Sequence, residues 1–302
     1  MVEIISFEDE FYYPPEFKGL ETLVRFPDGE FKRKDIPNST VWVFNPDNHK
    51  YMNEILGNDV GCGMTAFILN KIDYKEAADK FCDHLEDKGL IGRGNHFVDI
   101  CGKIDSKSDK KEEEYNILLL HTHGKGDNKA ESLEEARSLQ QKASEERRNL
   151  GYELANLIKA NCRLLGDWPH NTVEEEDGKI VYRKGVIKVQ PMEVYFLPAH
   201  LNAHIWVYTI DVRPESIPPY FSMPHATGRK GPRGETKVSL EKAREIRDLV
   251  YIPSKISDSS LRTEHPSCFN DFDKIIDKLC KWDKSYIYSM GEIQILSYIG
   301  KI

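Results

Sequence analysis

Apolar residues recur along the chain at two different spacings, which predict helices in some segments and strands in others. Apolar positions three and four residues apart predict a helix over residues 72–89, ended by Gly89, with Ala77, Ala78, Phe81 and Leu85 on one stripe. Ser132 and Glu135 have the spacing of a capping box, and they predict a long helix that continues to about residue 165 and is ended by Gly166. Shorter helices are predicted over residues 240–249 and 272–282.

Short runs rich in β-branched and aromatic residues predict strands between these helices. In chain order the predicted strands are Thr40–Phe44, 96–100, 116–120, 179–182, 186–189, 194–197 and 205–212, then a terminal hairpin of 286–288 and 293–299 around Gly291. No internal repeat, low-complexity segment or linker divides the sequence. We therefore expect one α+β domain over residues 1–302, with a β-rich core and flanking helices.

Composition narrows the class of protein. The chain has 302 residues, of which 39% are hydrophobic, and no run approaches the roughly 18–20 apolar residues of a membrane span. The N-terminal residues lack the basic and apolar regions of a signal peptide, so we expect a cytoplasmic protein that is not bound to a membrane. The six cysteines form no CxxC pair, and we expect them to be free thiols. A net charge of −8 argues against strong nonspecific binding to nucleic acid.

A carboxylate, a thiol and several imidazoles stand at loop-like positions. Asp59 lies three residues before Cys62, which two glycines flank, and His96, His121 and His170 follow along the chain. A deprotonated thiol has enough lone pairs to bridge two divalent ions. The alternative is a tight glycine turn around a buried thiol. Thiol and imidazole ligands suit zinc, whereas an added carboxylate and a phosphate substrate suit manganese, so the residues alone leave the metal open.

Two further pairs of histidines need separate interpretation. If a strand continues through both, His121 and His123 point to opposite faces, so we then expect at most one of them at a site and favour His121. For His123, the alternative of a simple surface residue stays open. His200 and His204 are spaced as helical zinc ligands, but no glutamate follows His200 and the surrounding residues favour strands. A metal role is not expected there.

His225 begins a small, basic, glycine-bearing segment that suits a nucleotide. A neutral imidazole can attack the α-phosphate of a nucleotide and form a phosphoramidate that passes the nucleotide onward. The small residues that follow leave room for the nucleotide, and Arg229 and Arg233 could neutralise phosphate oxygens. The alternative is a basic loop with one incidental histidine.

Taken together, these segments resemble the RtcB family of RNA-splicing ligases. The matching runs occur in the family's order from about residue 42 to the end: 59–64, 94–100, 121–126, His170-Asn171 with 182–185, 225–229 with Arg233, and the tail 299–301. Any one of these motifs is unspecific, and it is their combination that carries the resemblance.

The resemblance implies an activity, two metal ions and a nucleotide. It implies a ligase for RNA repair or tRNA splicing that uses GTP and two Mn²⁺ to join a 3′-phosphate or 2′,3′-cyclic phosphate RNA end to a 5′-hydroxyl end, with an archease-like activator as a further partner. It implies that Asp59, Cys62 and His96 hold one ion, that Cys62, His121 and His170 hold the other, and that His225 becomes guanylylated. The matching nucleotide-binding positions are Asn95, Phe97, Asp99, Asn171, Ala226, Thr227, Gly228 and Lys301.

Some positions depart from the family's pattern. The chain is considerably shorter than typical members, and the family's Pro-Gly-Ser-Met run appears as Pro198-Ala199-His200-Leu201. Ile205 replaces a serine, Lys125 stands where arginine is usual, and Glu146 where asparagine is usual. Two rival functions therefore stay open: a two-metal phosphoesterase acting on cyclic or terminal RNA phosphates, and a non-catalytic RNA-binding relative.

Overall fold

Two sheets with helices packed against them make up the fold of this chain in a computed structural model, which confirms the predicted α+β class. The structure describes residues 2–10, 12–28, 31–33, 36–47, 49–88, 96–103, 115–123, 128–211, 218–280 and 287–300. Within those ranges, no helix combines the length and the apolar character needed to cross a membrane.

The larger sheet has seven strands, each antiparallel to its neighbours. Their spatial order is β13 (Tyr195–Leu197), β14 (His204–Ile210), β16 (Ile287–Gly300), β7 (Phe97–Lys103), β8 (Tyr115–Thr122), β6 (Gly63–Asn70) and β9 (Cys162–Pro169). Consecutive side chains of a strand point to opposite faces, and the consecutive leucines 118–120 of β8 are all fully buried. Both faces of the sheet are therefore covered at its centre.

The smaller sheet has five strands and packs one face against the core of the larger sheet. Its order is β1 (Glu3–Ser6), β2 (Leu20–Arg25), β5 (Thr40–Phe44), β11 (Lys179–Lys184) and β10 (Asn171–Glu176), with only the first pair parallel. The central strand β5 is buried along its whole length. Val41 and Val43 join the core shared with the larger sheet, whereas Trp42 and Phe44 join a second core on the opposite face.

Seven helices and two small sheets surround these layers in the described part of the chain. The helices are α1 (Asn53–Leu56), α2 (Tyr74–Lys88), α3 (Leu133–Leu157), α4 (Leu240–Arg244), α5 (Ile246–Leu249), α6 (Asp258–Leu261) and α7 (Phe272–Cys280). The two-stranded sheets pair β12 (Val186–Lys188) with β15 (Ser222–Pro224), and β3 (Phe31–Arg33) with β4 (Ile36–Pro37). Helix α3 crosses β6, β8, β9 and β10, so it contacts both sheets.

Several predicted elements are confirmed. Strand β5 has the predicted bounds, and α2 buries the predicted apolar stripe of Ala77, Ala78, Phe81 and Leu85. Ser132 caps α3, because its Oγ accepts a hydrogen bond from the Glu135 N–H at 3.1 Å. Strand β8 is longer than predicted and runs through Thr122, so that His121 lies inside it. Gly89 lies outside the described residues.

The predicted length of the long helix is wrong. Helix α3 ends at Leu157, and Lys159 then adopts a left-handed φ of 55°, which a continuing helix excludes. The segment predicted as the last helical turns is strand β9, which pairs with β6. Gly166 lies inside this strand, where the Trp168 ring occupies the space that a side chain at Gly166 would need.

The predicted terminal hairpin is also wrong. Residues 287–300 form one continuous strand, β16, which pairs with β14 over its first half and with β7 over its second. Gly291, at a φ of 130°, lies next to a register shift in the pairing with β14 and does not reverse the chain. The predicted helix over residues 240–249 is interrupted at Glu245, which separates α4 from α5.

Candidate metal centre and nucleotide pocket

The loop before β6 carries the first two predicted ligands, Asp59 and Cys62. Gly61 has a φ of +79°, and a Cβ there would lie 2.9 Å from the Ala143 Cβ of α3, so both the turn and the close approach of the helix require glycine. The Gly61 N–H donates to the Asn171 carbonyl at 2.8 Å, and the Cys62 N–H donates to the Asp59 carbonyl at 3.1 Å. The thiol is thereby fixed at the start of β6, where it is 2% exposed.

Strand register brings a first group of donor atoms together. β6 lies between β8 and β9, with Gly63 opposite Thr122 on one side and Pro169 on the other. Cys62, His121 and His170 therefore lie at the same end of three adjacent strands. The Cys62 Sγ is 3.4 Å from the His121 Nε2, which is 3.3 Å from the His170 Nε2, and all three residues are buried.

A second group of donor atoms lies beside the first. Donor atoms of Asp59, His96 and His123 lie within 4.8 Å of one another, and the His96 Nε2 is 3.7 Å from the Cys62 Sγ. Burial lowers the pKa of His96 to about 4, and the neighbouring His123 adds to this effect while Asp59 opposes it. His96 is therefore neutral at pH 7, with a lone pair available for an ion.

The expectation of at most one site histidine in the His-Thr-His run assumed a strand that continues through both histidines, and the structure does not have such a strand. Strand β8 ends at Thr122, so the alternation of faces stops before His123. Its ring lies edge-on to that of His96 with centroids 4.4 Å apart, and its side chain is only 16% exposed. The signal in the sequence was a histidine directly after the end of a strand, where side chains no longer have to alternate between the two faces of the sheet.

Both groups fit divalent ions. Bonds of about 2.1 Å in a tetrahedral arrangement place ligand atoms about 3.4 Å apart. In the first group the Cys62 Sγ is 3.4 Å from the His121 Nε2, and the two Nε2 atoms of His121 and His170 are 3.3 Å apart. Imidazole, thiolate and carboxylate are all transition-metal ligands, and the thiol lies between the two groups. Asp59, Cys62, His96, His121 and His170 can therefore hold two ions side by side.

Arg147 of α3 fixes the two segments that carry these ligands. Its buried guanidinium donates to the Gly61 carbonyl at 2.9 Å and to the Thr122 carbonyl at 2.8 Å. It also makes an ion pair with Asp167 at 2.8 Å, which balances its charge. One side chain thus connects the backbone next to Cys62 with the backbone between His121 and His123.

His225 lies against the metal-binding groups, directly after β15. Its ring stacks on that of His170 with centroids 3.9 Å apart. Its Nδ1 is 2.7 Å from the Gly185 carbonyl oxygen, and because a carbonyl only accepts, Nδ1 must carry the proton of the neutral ring. The lone pair is then on Nε2, which leaves that atom as the nucleophilic one.

A pocket opens next to His225 and is lined by several predicted nucleotide-binding residues. Phe97, Asp99, Ala226 and Gly228 line it. Asp99 is 2% exposed, and its Oδ1 has no hydrogen-bond partner among the described residues. Burial raises the pKa of Asp99 well above its ordinary value, and the charge of Glu264 adds to this effect.

Other predicted nucleotide-binding residues have different positions. The Asn171 amide donates to the Asp59 Oδ2 at 3.1 Å, and the Asn171 side-chain oxygen accepts from the Gly185 N–H at 2.9 Å. Asn171 therefore connects the loop before β6 with Gly185, the residue that orients His225. Thr227 is buried, and its N–H donates to the Pro198 carbonyl at 3.1 Å, which supports the loop. Asn95 and Lys301, as well as Lys125, lie outside the described residues.

The two arginines expected at phosphate oxygens both contact a buried carboxylate. Arg229 donates to Glu264 at 2.9 Å, and Arg233 makes an ion pair with the same carboxylate. Burial on its own raises the pKa of Glu264, but the two guanidinium groups outweigh burial and hold the pKa below its ordinary value. The single carboxylate of Glu264, which forms part of the pocket wall, offsets one of the two positive charges.

The pocket also includes residues that the sequence did not reveal. Asp28 lines it from the segment after β2, and its carboxylate occupies the space that a side chain at Gly228 would fill. His200 lines it too, and its Nδ1 accepts from the Asn202 N–H at 3.2 Å. His204 instead pairs with Glu292, and both of these side chains are exposed, so His200 and His204 do not act as a metal-binding pair. The only sequence signal for Asp28 was a Pro-Asp-Gly turn.

The residues that carry this chemistry are dispersed along the chain but meet at one end of the larger sheet. No protein-family model matches the chain, and no match to it is found among curated proteins. Function is therefore inferred from the donor atoms, the orientation of His225 and the adjoining pocket.

Proposed function

We propose that this protein is a GTP- and manganese-dependent RNA ligase of the RtcB type. It joins a 3′-phosphate or 2′,3′-cyclic phosphate end of RNA to a 5′-hydroxyl end through a guanylylated His225. The observation that carries the proposal is the environment of His225, whose Nδ1 is held by the Gly185 carbonyl while its ring stacks on a predicted metal ligand beside the pocket.

His225 carries out the first step as a nucleophile. Its Nε2 attacks the α-phosphorus of GTP, an N–P bond forms, and the bond from that phosphorus to the bridging oxygen breaks so that pyrophosphate leaves with the electron pair. The Nδ1–H stays hydrogen-bonded to the Gly185 carbonyl, and this bond stabilises the positive charge that the ring acquires. Divalent ions held by the two ligand groups would neutralise charge on the phosphate oxygens.

The next steps return His225 to its starting state. An oxygen of the RNA 3′-phosphate attacks the phosphorus of the bound GMP, and the electrons of the N–P bond return to Nε2. The 5′-hydroxyl oxygen then attacks the activated 3′-phosphate, GMP leaves, and the hydroxyl proton passes to water. A cyclic phosphate end must first add water to give the 3′-phosphate.

The pocket supports GTP as the nucleotide. Guanine presents N–H donors along the edge where adenine has a ring acceptor, and the Asp99 Oδ1 offers a buried acceptor that no described residue uses. Aromatic walls from Phe97 and Phe269 suit the flat faces of a base. A buried carboxylate without a partner is costly, which is why burial raises the pKa of Asp99, and a ligand that supplies donors to the carboxylate gains affinity here.

Labelling with GTP tests the proposal. The protein is incubated with Mn²⁺ and GTP labelled at the α-phosphate, denatured, and examined for label on the chain. We expect acid-labile label that is lost in His225→Ala and kept in His84→Ala, a matched control whose histidine lies on α2 and contacts Glu153 of α3. Ligation of RNA carrying the two end types should show the same dependence.

The rival functions give different results in the same experiment. Hydrolysis of a cyclic phosphate that persists in His225→Ala, with no label on the chain, would identify a two-metal phosphoesterase. RNA binding with neither label nor hydrolysis would identify a non-catalytic RNA-binding protein.

A further inference from the structure

We infer that His123 is a ligand of the second metal ion, which Asp59, His96 and His123 hold as a set of two imidazoles and one carboxylate. The inference rests on the two-metal part of the proposed function and on none of the nucleotide chemistry. It changes the expected role of the thiol: Cys62 lies between the ions, but the second ion has a protein ligand set that does not depend on it.

The distance between His123 and Asp59 suits an ion. The His123 Nε2 lies 3.8 Å from the Asp59 Oδ1, which is beyond the usual 2.7–3.2 Å of a hydrogen bond. Two ligand atoms of one ion stand about 3.4 Å apart at bond lengths of about 2.1 Å. The donor atoms of Asp59, His96 and His123 are close enough to converge on one ion with only small movements.

The protein also fixes His123 next to Asp59 through the backbone. The Asn128 side-chain amide donates to the His123 carbonyl at 2.8 Å and to the Val60 carbonyl at 3.1 Å. The Val60 N–H in turn donates to the Asn128 carbonyl at 3.0 Å, and Asp59 forms a β-bridge with Asn128. Such preorganisation is what supporting residues provide around metal ligands.

The chemistry of His123 agrees with this role. It is mostly buried, and its Nδ1 has no hydrogen-bond partner among the described residues. Two histidines and a carboxylate on one side of an ion leave further coordination positions open for phosphate oxygens or water. Arg147 donates to the carbonyl of Thr122, the residue before His123, and so fixes the same segment.

The test measures bound metal in the absence of nucleotide. Protein freed of metal with a chelator is equilibrated with Mn²⁺, and the ions per chain are counted by elemental analysis. We expect two in the unaltered protein and in the His84→Ala control, but one in His123→Ala. We also expect one in Cys62→Ser, because the second ion keeps its three ligands. Two ions bound with unaltered affinity in His123→Ala would overturn the assignment, as would loss of both ions in Cys62→Ser.

Cobalt provides a signature that separates a ligand role from a folding defect. Thiolate-to-cobalt charge-transfer absorption reports the ion held by Cys62, so His123→Ala should keep this band and Cys62→Ser should lose it. If His123→Ala does not fold, His123→Asn replaces it, and retention of two ions in that variant overturns the assignment. Guanylylation is measured separately: two ions without labelling would overturn the ligase and leave the role of His123 intact.

Discussion

Asp99 shows how one buried side chain can serve binding at the expense of stability. It lies on β7 opposite Tyr298 of β16, in the wall of the pocket. Burial and the charge of Glu264 raise its pKa well above the ordinary value. A carboxyl group whose pKa is higher in the folded than in the unfolded state destabilises the fold as pH rises through and above its unfolded pKa of about 4.

Replacing Asp99 by asparagine should therefore have two opposite effects. The Asp99→Asn variant should be more stable at pH 7, with a Tm higher by about 2–4 °C for each kcal/mol gained, and this gain should disappear below about pH 4. Its preference for GTP over ATP in labelling should fall about tenfold, because an amide supplies donors where guanine needs an acceptor. Thermal unfolding and competitive labelling measure the two effects. An unchanged nucleotide preference would contradict the role of Asp99.

At the level of single residues, the sequence indicated the candidate metal ligands better than it indicated the residues that line the pocket. Asp59, Cys62, His96, His121 and His170 are chemically distinctive, and the structure brings them together. Asp28 could not be found in this way, because an aspartate in a turn carries no signal until the fold places it against Gly228. Those two positions are distant in sequence, and their proximity is a property of tertiary packing.

At the scale of elements, Arg183 connects the strand pair β10–β11 with the segment that leads to His225. Its side chain is fully buried and donates to the Ser222 Oγ at 2.9 Å and to the Tyr220 carbonyl at 2.9 Å. Glu176 at the end of β10 accepts from the same guanidinium at 2.7 Å. Burial alone would raise the pKa of Glu176, but Arg183, with help from Lys188, lowers it to about 2.

Removing the charge of Glu176 should lower stability in a pH-dependent way. The depressed pKa means that the charged group stabilises the fold above its unfolded pKa of about 4.3, and that this contribution is lost as pH falls through about 2. Glu176→Gln should therefore cost about 1.5–3 kcal/mol at pH 7 and very little near pH 2. Denaturant unfolding at several pH values measures the difference.

Glu175→Gln is the matched control for that experiment. Glu175 lies on the same strand, but its side chain is 60% exposed and stands 3.7 Å from Arg137. Such exposed pairs contribute roughly 0–1 kcal/mol, so the control should change stability little at any pH. Equal losses in both variants would show that burial beside Arg183 does not matter.

Periodicity predicted the interior of the elements better than their ends. The apolar stripe of α2 and the run of β5 are strong local signals, and both appear where expected. From its sequence alone the segment after Leu157 is compatible with a helix, but in the structure it pairs with β6 and forms β9. Gly291 signalled a turn, yet β14 and β7 each pair with part of the same long strand. Tertiary pairing decided both cases.

For the whole molecule, the notable property is that the ligands come from separate strands and loops of the larger sheet. Cys62, His121 and His170 belong to segments before β6, within β8 and after β9. An ion bound by them cross-links parts of the chain that are distant in sequence. Because such a ligand set does not exist in the unfolded chain, binding energy becomes folding energy.

Mn²⁺ should therefore raise the Tm of the protein. At a free concentration about 100 times its Kd, one ion adds about 2.7 kcal/mol, or about 5–10 °C in Tm for a chain of this size. Cys62→Ser should show a smaller shift and His84→Ala the full one, as measured by calorimetry with and without chelator. A single transition in each case is also what one domain over residues 1–302 predicts. No shift on adding Mn²⁺ would contradict the metal centre.

The position of β5 at the centre of the smaller sheet has a consequence for how the protein is made. As the ribosome releases the chain, β2 and β5 can form a hairpin early, but the other edge of β5 must wait for β11. Trp42 and Phe44 can contact Phe17 early, but the apolar cluster that they belong to is complete only when the start of α3 and β11 have emerged. One edge of the most apolar strand of this sheet thus stays unpaired during much of translation, which exposes nascent chains to association with one another before the candidate metal ligands have met.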